Sequence, residues 1–324
     1  MGSSEASAEC LRAIMRESEL EVVGVVTQPD RPVGRGKERR ANTPCPLAKY
    51  AAACGITAMI KPENVNADGP MAQIREWKPD VVAVVAYGQI LRQPLLELPP
   101  FGCVNCHFSL LPKYRGAAPV IAAIEAGERI TGVTVMHMGV GLDDGPIMLQ
   151  RFEPIYPDTT GGALMDDLSI AGGVTLAKAL LLMSKNALPP EVQQDGQSAT
   201  YVKKLRKTDG LINWDWPVIE IERRIRAYNP WPGCYTFLPL RFRKKGNSGR
   251  LVISRARMVK LQPGWESAPP GMVLKATKEG PVIKCHDTAL MLVEVKPEGG
   301  ASMTGGAFLS GRQLMPLSDC LLGE

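Results

Sequence analysis

The sequence predicts a doubly wound α/β domain with a mostly parallel sheet, followed by a small β-barrel domain. In the first half of the chain, apolar segments of strand length alternate with segments of helical periodicity. In the last third, short strand-like segments follow one another with turn residues between them. The chain has 324 residues. A single core seldom grows past about 250–300 residues, so two domains are expected.

Near-continuous apolar strands that alternate with helices indicate a sheet covered on both faces, as in Rossmann-like domains. The predicted strands are residues 22–27, 56–60, 81–86, 101–108 and 133–138. The predicted helices are residues 5–17, 46–54, 71–77, 117–126 and 162–186. Such sheets bind ligands beyond the carboxyl ends of their strands. The chemistry is therefore expected just after Ala86, Asn105 and Met138.

The beginning of the chain departs from this pattern. A doubly wound domain normally opens with a central strand, whereas here a helix directly follows Met-Gly-Ser-Ser. Two explanations stay open: the chain starts at an internal Met, or the sheet lacks its central first strand.

The second half has a different organisation. Residues 187–199 are rich in Pro, Gln and Gly, which is typical of a linker. The predicted domains are a catalytic domain at 1–186, a linker at 187–207 and a barrel domain at 208–324. After a helix at 217–228, the predicted strands are 234–238, 251–259, 271–276, 282–285 and 290–295. Short strands at this spacing favour a small antiparallel barrel or sandwich, and an OB-like barrel is the predicted form.

Composition indicates a reduced, non-membrane environment. The eight Cys are irregularly spaced and a chain of this size needs no disulfide framework, so free thiols are expected. The N-terminus lacks a basic region followed by an apolar stretch, and no continuous run of about 18 apolar residues is present. We expect a cytoplasmic protein, or a mitochondrial or plastid one in a eukaryote, with no membrane contact.

Basic residues are clustered along the chain. The net charge is +5, and the clusters are Arg31, Arg35, Lys37, Arg39 and Arg40; Lys203, Lys204, Arg206 and Lys207; and Arg241, Arg243, Lys244 and Lys245. Each cluster alone is typical of a solvated surface. Three clusters together favour a nucleic-acid partner, because phosphates are contacted by many scattered Lys and Arg side chains.

The candidate catalytic residues are Asn105, His107 and Asp143. Asn105 and His107 are two residues apart on a predicted strand, so both side chains project from one face. Asp143 lies in a Gly-rich loop after the next predicted strand. If both strands are parallel they end at the same edge, and the three side chains converge there. The alternative is that Asn105 and Asp143 are turn residues and His107 is a hydrogen-bonded core residue.

This combination suits acyl transfer to an amine. The Asn105 amide can donate to the oxyanion of a tetrahedral intermediate. His107 can donate a further bond or relay protons, and Asp143 can stabilise the imidazolium or position a water molecule. Cys103, Cys106 and His107 also match a haem-attachment pattern, but the segment is an apolar strand. These three residues are too contiguous for tetrahedral zinc, so no metal is expected.

The motifs around these residues resemble the folate-dependent formyltransferases. The segments are Cys-Val-Asn-Cys-His-Phe-Ser-Leu-Leu-Pro-Lys-Tyr-Arg-Gly-Ala-Ala-Pro at 103–119, Thr-Gly-Val-Thr at 131–134 and Gly-Leu-Asp-Asp-Gly-Pro at 141–146. The resemblance implies 10-formyltetrahydrofolate as cosubstrate and Asn105, His107 and Asp143 as site residues. It also implies a cis bond between Leu111 and Pro112. The implied cosubstrate-binding residues are Ala86, Tyr87, Gly88, Gln89, Ile90, Leu91, Ser109, Leu110, Leu111, Pro112, Gly141 and Leu142.

The likeness extends over the whole chain and implies a substrate. The segments Thr-Gln-Pro-Asp-Arg-Pro-Val-Gly-Arg-Gly-Lys at 27–37 and Arg-Ala-Tyr-Asn-Pro-Trp-Pro at 226–232 resemble the members that act on methionine carried by initiator tRNA. By that match Arg35 is the chief tRNA contact, and Lys37, Arg39, Arg40, Lys203, Lys204 and Arg206 are further candidates. Family members are usually monomers, which is the expectation here.

Two other functions stay open on sequence grounds. One is a formyltransferase of the same fold that acts on a small amine, such as a nucleotide sugar or a purine precursor. The other is a non-catalytic tRNA-binding protein, if the lost first strand abolishes activity.

Overall fold

The computed structural model describes residues 1–32, 42–239, 242, 246–311 and 320–323. The chain forms two compact units: Met1–Pro119 with Ile130–Pro154 and Met165–Lys203, and Val120–Arg129 with Ile155–Leu164 and Lys204–Glu324. The helices are α1 Glu5–Ile14, α2 Pro46–Ala53, α3 Asp68–Glu76, α4 Gln93–Leu96, α5 Pro119–Ala126, α6 Gly161–Ser184, α7 Val218–Ala227 and α8 Gly305–Gly311.

Most strands of the first unit are shorter than the sequence predicts, whereas the strand predicted at 133–138 is longer and covers Ile130–His137. The strands are β1 Val25–Val26, β2 Arg31–Pro32, β3 Asn42–Thr43, β4 Met59–Ile60, β5 Val82–Val84, β6 Cys103–His107, β7 Arg115–Gly116, β8 Ile130–His137, β9 Ile147–Pro154, β10 Tyr201–Val202, β11 Cys234–Phe237, β12 Arg250–Val259, β13 Val273–Ala276, β14 Pro281–Lys284, β15 Ala289–Pro297 and β16 Met303–Thr304. Each strand predicted in this half has an observed counterpart, whereas β9 was not predicted.

The main sheet of the first unit is mixed, so the prediction of a mostly parallel sheet needs correction. Its strand order is β5-β6-β8-β9, and only the β5–β6 pair is parallel. β8 runs antiparallel to both β6 and β9. The loop between β8 and β9 has only nine residues, which suffices for an antiparallel return but not for the crossover that a parallel pair requires.

Met1 and Gly2 occupy the position expected for the first strand. Gly2 N–H donates to the Val26 carbonyl at 3.0 Å, and Val85 N–H donates to the Met1 carbonyl at 2.9 Å. These two residues thereby join the parallel β1–β4 pair to the end of β5. A cavity of about 590 Å³ opens beside them, lined by apolar side chains such as Val25, Val82 and Leu176.

Helix α1 is fixed by short polar side chains at its start. Ser4 and Ser7 form a capping box that satisfies helix N-terminal N–H groups. The Ser7 hydroxyl also donates to the Val85 carbonyl at 2.6 Å. The Gly-Ser-Ser segment thus fastens this helix to the end of β5 without a preceding full strand.

Helix α6 is long and apolar enough, by length and composition, to cross a bilayer. The sequence has no continuous run of 18 apolar residues, but an 18-residue window of this helix has a high mean hydropathy and few charged residues. However, 61% of its most apolar window is buried inside the protein, as is typical of a core helix.

The second unit contains a six-stranded antiparallel sheet. Its order is β11-β12-β15-β14-β13, and β16 pairs with β15. Among the described residues the end strands β11 and β13 are not paired with each other, so closure into an OB-like barrel is not confirmed. The register of β12 against β15 shifts around Arg255, which is where a bulge bends the strand.

Residues 187–203 pack with the first unit. Val192 forms an antiparallel bridge with Ile147, and β10 pairs in parallel with β7. This part of the segment predicted as a linker is therefore bound along the catalytic half.

Candidate active site

Asn105 and His107 lie on β6 and project from the same face of the strand. Their neighbours Cys103, Val104 and Cys106 are buried at 1%, 0% and 2% exposure. The strand therefore holds the two polar side chains in fixed positions against a packed core. The His107 side chain is only 6% exposed, while Asn105 is half-buried.

Asp143 lies against both residues. Its carboxylate accepts a long hydrogen bond from the Asn105 amide at 3.5 Å and lies 3.6 Å from His107 Nδ1. The Gly116 N–H also donates to this carboxylate, at 2.8 Å. His107 Nε2 lies 2.9 Å from the Tyr114 carbonyl oxygen. Both imidazole nitrogens thus face acceptor oxygens.

The three candidates converge by a different route from the predicted one. Because β6 and β8 are antiparallel, the end of β8 at His137 lies beside Val104 at the start of β6. Asp143 therefore cannot meet His107 at a shared strand edge. The loop after β8 instead returns over the face that carries Asn105 and His107. Asp143 has a left-handed backbone, with φ of 49°, which turns its side chain toward them.

The turn after β6 is held by an internal hydrogen-bond network. The Ser109 hydroxyl donates to the Lys113 carbonyl at 2.7 Å and is fully buried. Ser109 was predicted to contact the cosubstrate, but its hydroxyl is used within the turn. Leu111 is also buried, whereas Leu110 and Pro112 are half-buried. The Leu111–Pro112 bond is cis, as the resemblance implied.

Thr134 on β8 connects this turn to the sheet. Its hydroxyl donates to the Ser109 carbonyl at 2.7 Å and accepts from the Leu111 N–H at 3.1 Å. The Gln150 amide donates to the same hydroxyl at 2.9 Å and to the Leu111 carbonyl at 3.0 Å. Every polar group at the centre of the turn therefore has a partner.

Replacing Thr134 by Val should destabilise the protein by about 1–3 kcal/mol, because the buried Leu111 N–H loses its acceptor while side-chain volume is kept. Urea unfolding measures this loss. Thr131→Val makes the same change on the same strand at a hydroxyl outside the network, and it should cost less. Equal effects of the two substitutions would contradict the assigned role of Thr134.

The loop at residues 86–91 presents only some of its predicted contacts. Ala86, Gly88 and Ile90 are exposed, with Ile90 at 83%. Tyr87 and Leu91 are buried at 3% and 5%, and burial raises the pKa of Tyr87 to about 12. These two side chains pack into the core, so contact of Tyr87 and Leu91 with the cosubstrate would have to use backbone atoms, and it stays a prediction.

The Gln89 side chain fastens this loop to the segment at residues 62–65. Its amide accepts from the Val65 N–H and donates to the Pro62 carbonyl, both at 2.9 Å. Gly141 and Leu142, in the loop that carries Asp143, are exposed. Of the predicted contacts in these two loops, Ala86, Gly88 and Ile90 in the first and Gly141 and Leu142 in the second are therefore accessible to a ligand.

Most of the predicted tRNA contacts fall outside the described residues. These are Arg35, Lys37, Arg39 and Arg40, together with the cluster of Arg241, Arg243, Lys244 and Lys245. Lys203, Lys204 and Arg206 are described and exposed. Arg206 pairs with Asp209 at 3.5 Å but keeps 81% of its side chain exposed. These exposed cations are accessible to a polyanion.

Three residues that contact the site were not identified from the sequence as functional. Gly116 supplies a backbone N–H to Asp143, Thr134 supports the turn, and Gln194 contacts the carbonyl of Asp143. Gly116 and Thr134 lie inside the quoted motifs, although no role was predicted for them. Gln194 lies in a segment interpreted as a linker, where no local pattern indicated a contact.

The geometry supports amide-forming chemistry. The amide of Asn105 and the imidazole of His107 lie on one face of β6, beside the carboxylate of Asp143. Such groups can stabilise an oxyanion and move a proton. No group of three or more His, Cys, Asp or Glu side chains that could hold a metal ion occurs within the described parts of the chain.

Comparison with known families covers both halves of the chain. Residues 2–180 match the family described as formyl transferase, and residues 204–313 match the formyl transferase C-terminal domain. The methionyl-tRNA formyltransferase of Pseudomonas putida strain W619 is 40% identical over 323 residues, which cover 100% of this chain and 98% of that protein. The methionyl-tRNA formyltransferase of Symbiobacterium thermophilum is 41% identical over 312 residues, covering 96% and 91%.

Solved structures show the same fold at low identity. An N-formyltransferase from Helicobacter canadensis, in complex with folinic acid and dTDP-3-aminofucose, has a TM-score of 0.60. It is 18% identical, and the match covers 90% of this chain and 97% of that chain. HypX from Aquifex aeolicus, in complex with tetrahydrofolic acid, has a TM-score of 0.55 at 17% identity, covering 76% and 41%.

Proposed function

The chain belongs to the formyl transferase family, and we propose that it transfers the formyl group of 10-formyltetrahydrofolate to the amino group of methionyl initiator tRNA. The main support is the match to methionyl-tRNA formyltransferases at about 40% identity along essentially the full length of both proteins. The formylated tRNA would then start translation, in a bacterial cytoplasm or in an organelle.

The proposed mechanism uses direct attack by the substrate amine. The methionyl nitrogen bonds to the formyl carbon, and the carbonyl oxygen becomes an oxyanion. Asn105 donates to that oxyanion, and so does His107 through Nδ1, because Nδ1 lies too far from Asp143, at 3.6 Å, for a hydrogen bond, whereas Nε2 faces the Tyr114 carbonyl. The amine proton passes, with the help of Asp143, toward the departing N10 of the folate, and the bond between N10 and the formyl carbon breaks. No enzyme nucleophile is needed, in keeping with a site that offers an amide, an imidazole and a carboxylate.

The proposed cosubstrate position is the surface formed by Ala86, Gly88 and Ile90 together with Gly141 and Leu142. Both loops are exposed, and the second carries Asp143. The faces of a flat pterin ring can pack on the apolar side chains of such a surface, and the polar edge of the ring can hydrogen-bond backbone groups of the two loops, since ligand sites combine apolar lining with a few placed polar groups. Folate or folate-analogue complexes of proteins with this fold support a folate-type cosubstrate.

A formyl-transfer assay tests the proposal directly. Labelled formyl from 10-formyltetrahydrofolate should pass to methionyl initiator tRNA, and not to methionyl elongator tRNA or free methionine. Transfer to a nucleotide amino sugar instead would favour the second candidate, a small-amine formyltransferase of the same fold. No transfer to any acceptor, with intact tRNA binding, would favour a non-catalytic tRNA-binding protein.

Recognition of tRNA is proposed to depend on the basic segment around Arg35. Replacing Arg35 by Ala should lower kcat/KM for tRNA. It should also reduce the slope of log tRNA affinity against log salt concentration by about 1, because one phosphate contact is lost. Folate binding should not change. Arg16→Ala, which removes an exposed positive charge outside the basic clusters, is the matched control. Loss of folate binding in the Arg35 variant would mean that this segment has been assigned wrongly.

A further inference from the structure

Gln194 makes four hydrogen bonds that connect two parts of the candidate site. Its Nε2 donates to the carbonyls of Asp143 at 2.9 Å and Gly145 at 2.7 Å. Its Oε1 accepts from Arg115 Nε at 3.1 Å and Nη2 at 2.8 Å. One side chain therefore joins the loop that carries Asp143 to the segment that leads into Gly116.

The orientation of this amide is fixed by its partners. Carbonyl oxygens only accept and a guanidinium only donates, so nitrogen and oxygen cannot be exchanged. Arg115 is only 5% exposed. The positive charge of the Arg115 guanidinium, which donates to Oε1, polarises the Gln194 amide. It thereby strengthens the bonds that Nε2 donates to the carbonyls of Asp143 and Gly145. The contacts of Arg115 and of the loop thus reinforce each other.

Asp143 needs such support because its backbone is strained. A left-handed conformation is uncommon outside glycine and persists only where the surroundings enforce it. Gly116 N–H holds the carboxylate of Asp143, while Gln194 holds its carbonyl. The bridge between Val192 and Ile147, with N–H to carbonyl distances of 2.8 and 3.0 Å, keeps Gln194 beside the loop.

We propose that Gln194 is a positioning residue: it fixes the backbone of Asp143 so that the carboxylate stays against His107 and Asn105. The inference rests on the proposed function in that Asp143 is taken to act during formyl transfer. Gln194 does not reach the reacting atoms, because its polar groups are occupied by Asp143, Gly145 and Arg115.

Gln194→Glu distinguishes the bonds that residue 194 accepts from Arg115 from the bonds that it donates to the loop. The carboxylate keeps both bonds from Arg115 but has no N–H for the carbonyls of Asp143 and Gly145, and its oxygen repels them. Displacing a catalytic group by about 1 Å can cost 10²-fold in rate, so kcat should fall between about tenfold and 10²-fold. KM for tRNA should stay within about twofold, because the loss falls on the chemical step.

Two comparisons test whether the effect passes through Asp143. In an Asp143→Asn background, Gln194→Glu should lower kcat by less than about twofold, since residues that act as a unit are not additive. Gln193→Glu makes the same chemical change at the neighbouring exposed position and should leave kcat unchanged. An unchanged kcat in Gln194→Glu, or an equal loss in the Asp143→Asn background, would overturn the proposal.

Hydrogen exchange supplies a measurement that does not depend on activity. Amides of residues 139–145 should exchange faster in Gln194→Glu than in the wild type and Gln193→Glu. Unchanged exchange would show that Gln194 does not hold the loop, even if the wild type transfers no formyl group and the proposed function fails. If Gln194→Glu does not melt cooperatively, the same kcat and hydrogen-exchange measurements are made on Gln194→Met, which keeps the side-chain length.

Discussion

Replacing His107 by Ala is expected to lower the rate of formyl transfer on the order of 10²-fold or more. His107 is buried on β6, with one nitrogen toward Asp143 and the other toward the Tyr114 carbonyl. Loss of the imidazole therefore removes a donor to the oxyanion and a route for the proton.

The measurement is single-turnover transfer of labelled formyl to methionyl initiator tRNA. His286→Ala is the matched control, because His286 is exposed and belongs to the second unit. Asn105→Ala and Asp143→Ala should show losses of the same order. Near-normal rates in all three variants, with cooperative melting retained, would refute the assignment of the site.

Replacing Leu95 by Ala is expected to destabilise the first unit by about 2–5 kcal/mol. Leu95 is 0% exposed and belongs to the core cluster that contains Tyr87, Leu91 and Cys103. Removing three side-chain carbons leaves a cavity in a region that packs at crystal-like density. Since Tyr87 and Leu91 anchor the loop at residues 86–91, KM for the folate cosubstrate should rise as well.

Urea unfolding measures this effect, with Trp77 as the reporter of the first unit. Trp77 packs against the same cluster and is the only tryptophan in the first 203 residues. Leu95→Met keeps the volume and should cost less than about 1.5 kcal/mol. Ile170→Ala, at an exposed site on α6, should stay within about 0.5 kcal/mol. A loss for Leu95→Ala no larger than for Ile170→Ala would contradict the predicted core role.

Local patterns predicted the elements well but not their directions. The segments at 81–86, 101–108 and 133–138 are strands because β-branched and apolar residues bury on both faces of a covered sheet. Apolar composition is the same for parallel and antiparallel strands inside such a sheet. The short loop makes β8 and β9 antiparallel to each other, and β9 was missed; no local pattern indicated that β8 also runs antiparallel to β6.

The three candidate residues lie together in the structure, as predicted, but they come together by a different route from the predicted one. Asn105 and His107 share a face because side chains alternate along a strand, which the sequence alone predicts. Asp143 was expected at a common edge of parallel strands. It reaches them because a loop with a left-handed residue folds back over the sheet, a path fixed by Gly116 and Gln194.

The sequence by itself determined the family, the alternation of strands and helices, and the pairing of Asn105 with His107, because these depend on residue identity and short-range spacing. Only the tertiary structure decided which loop residues are exposed and which, like Tyr87 and Gln89, are used internally. It also decided that residues 187–203 bind along the first unit and support Asp143. Contacts such as that of Gln194 join residues about 50 positions apart, and no local pattern of charge or hydrophobicity encodes them.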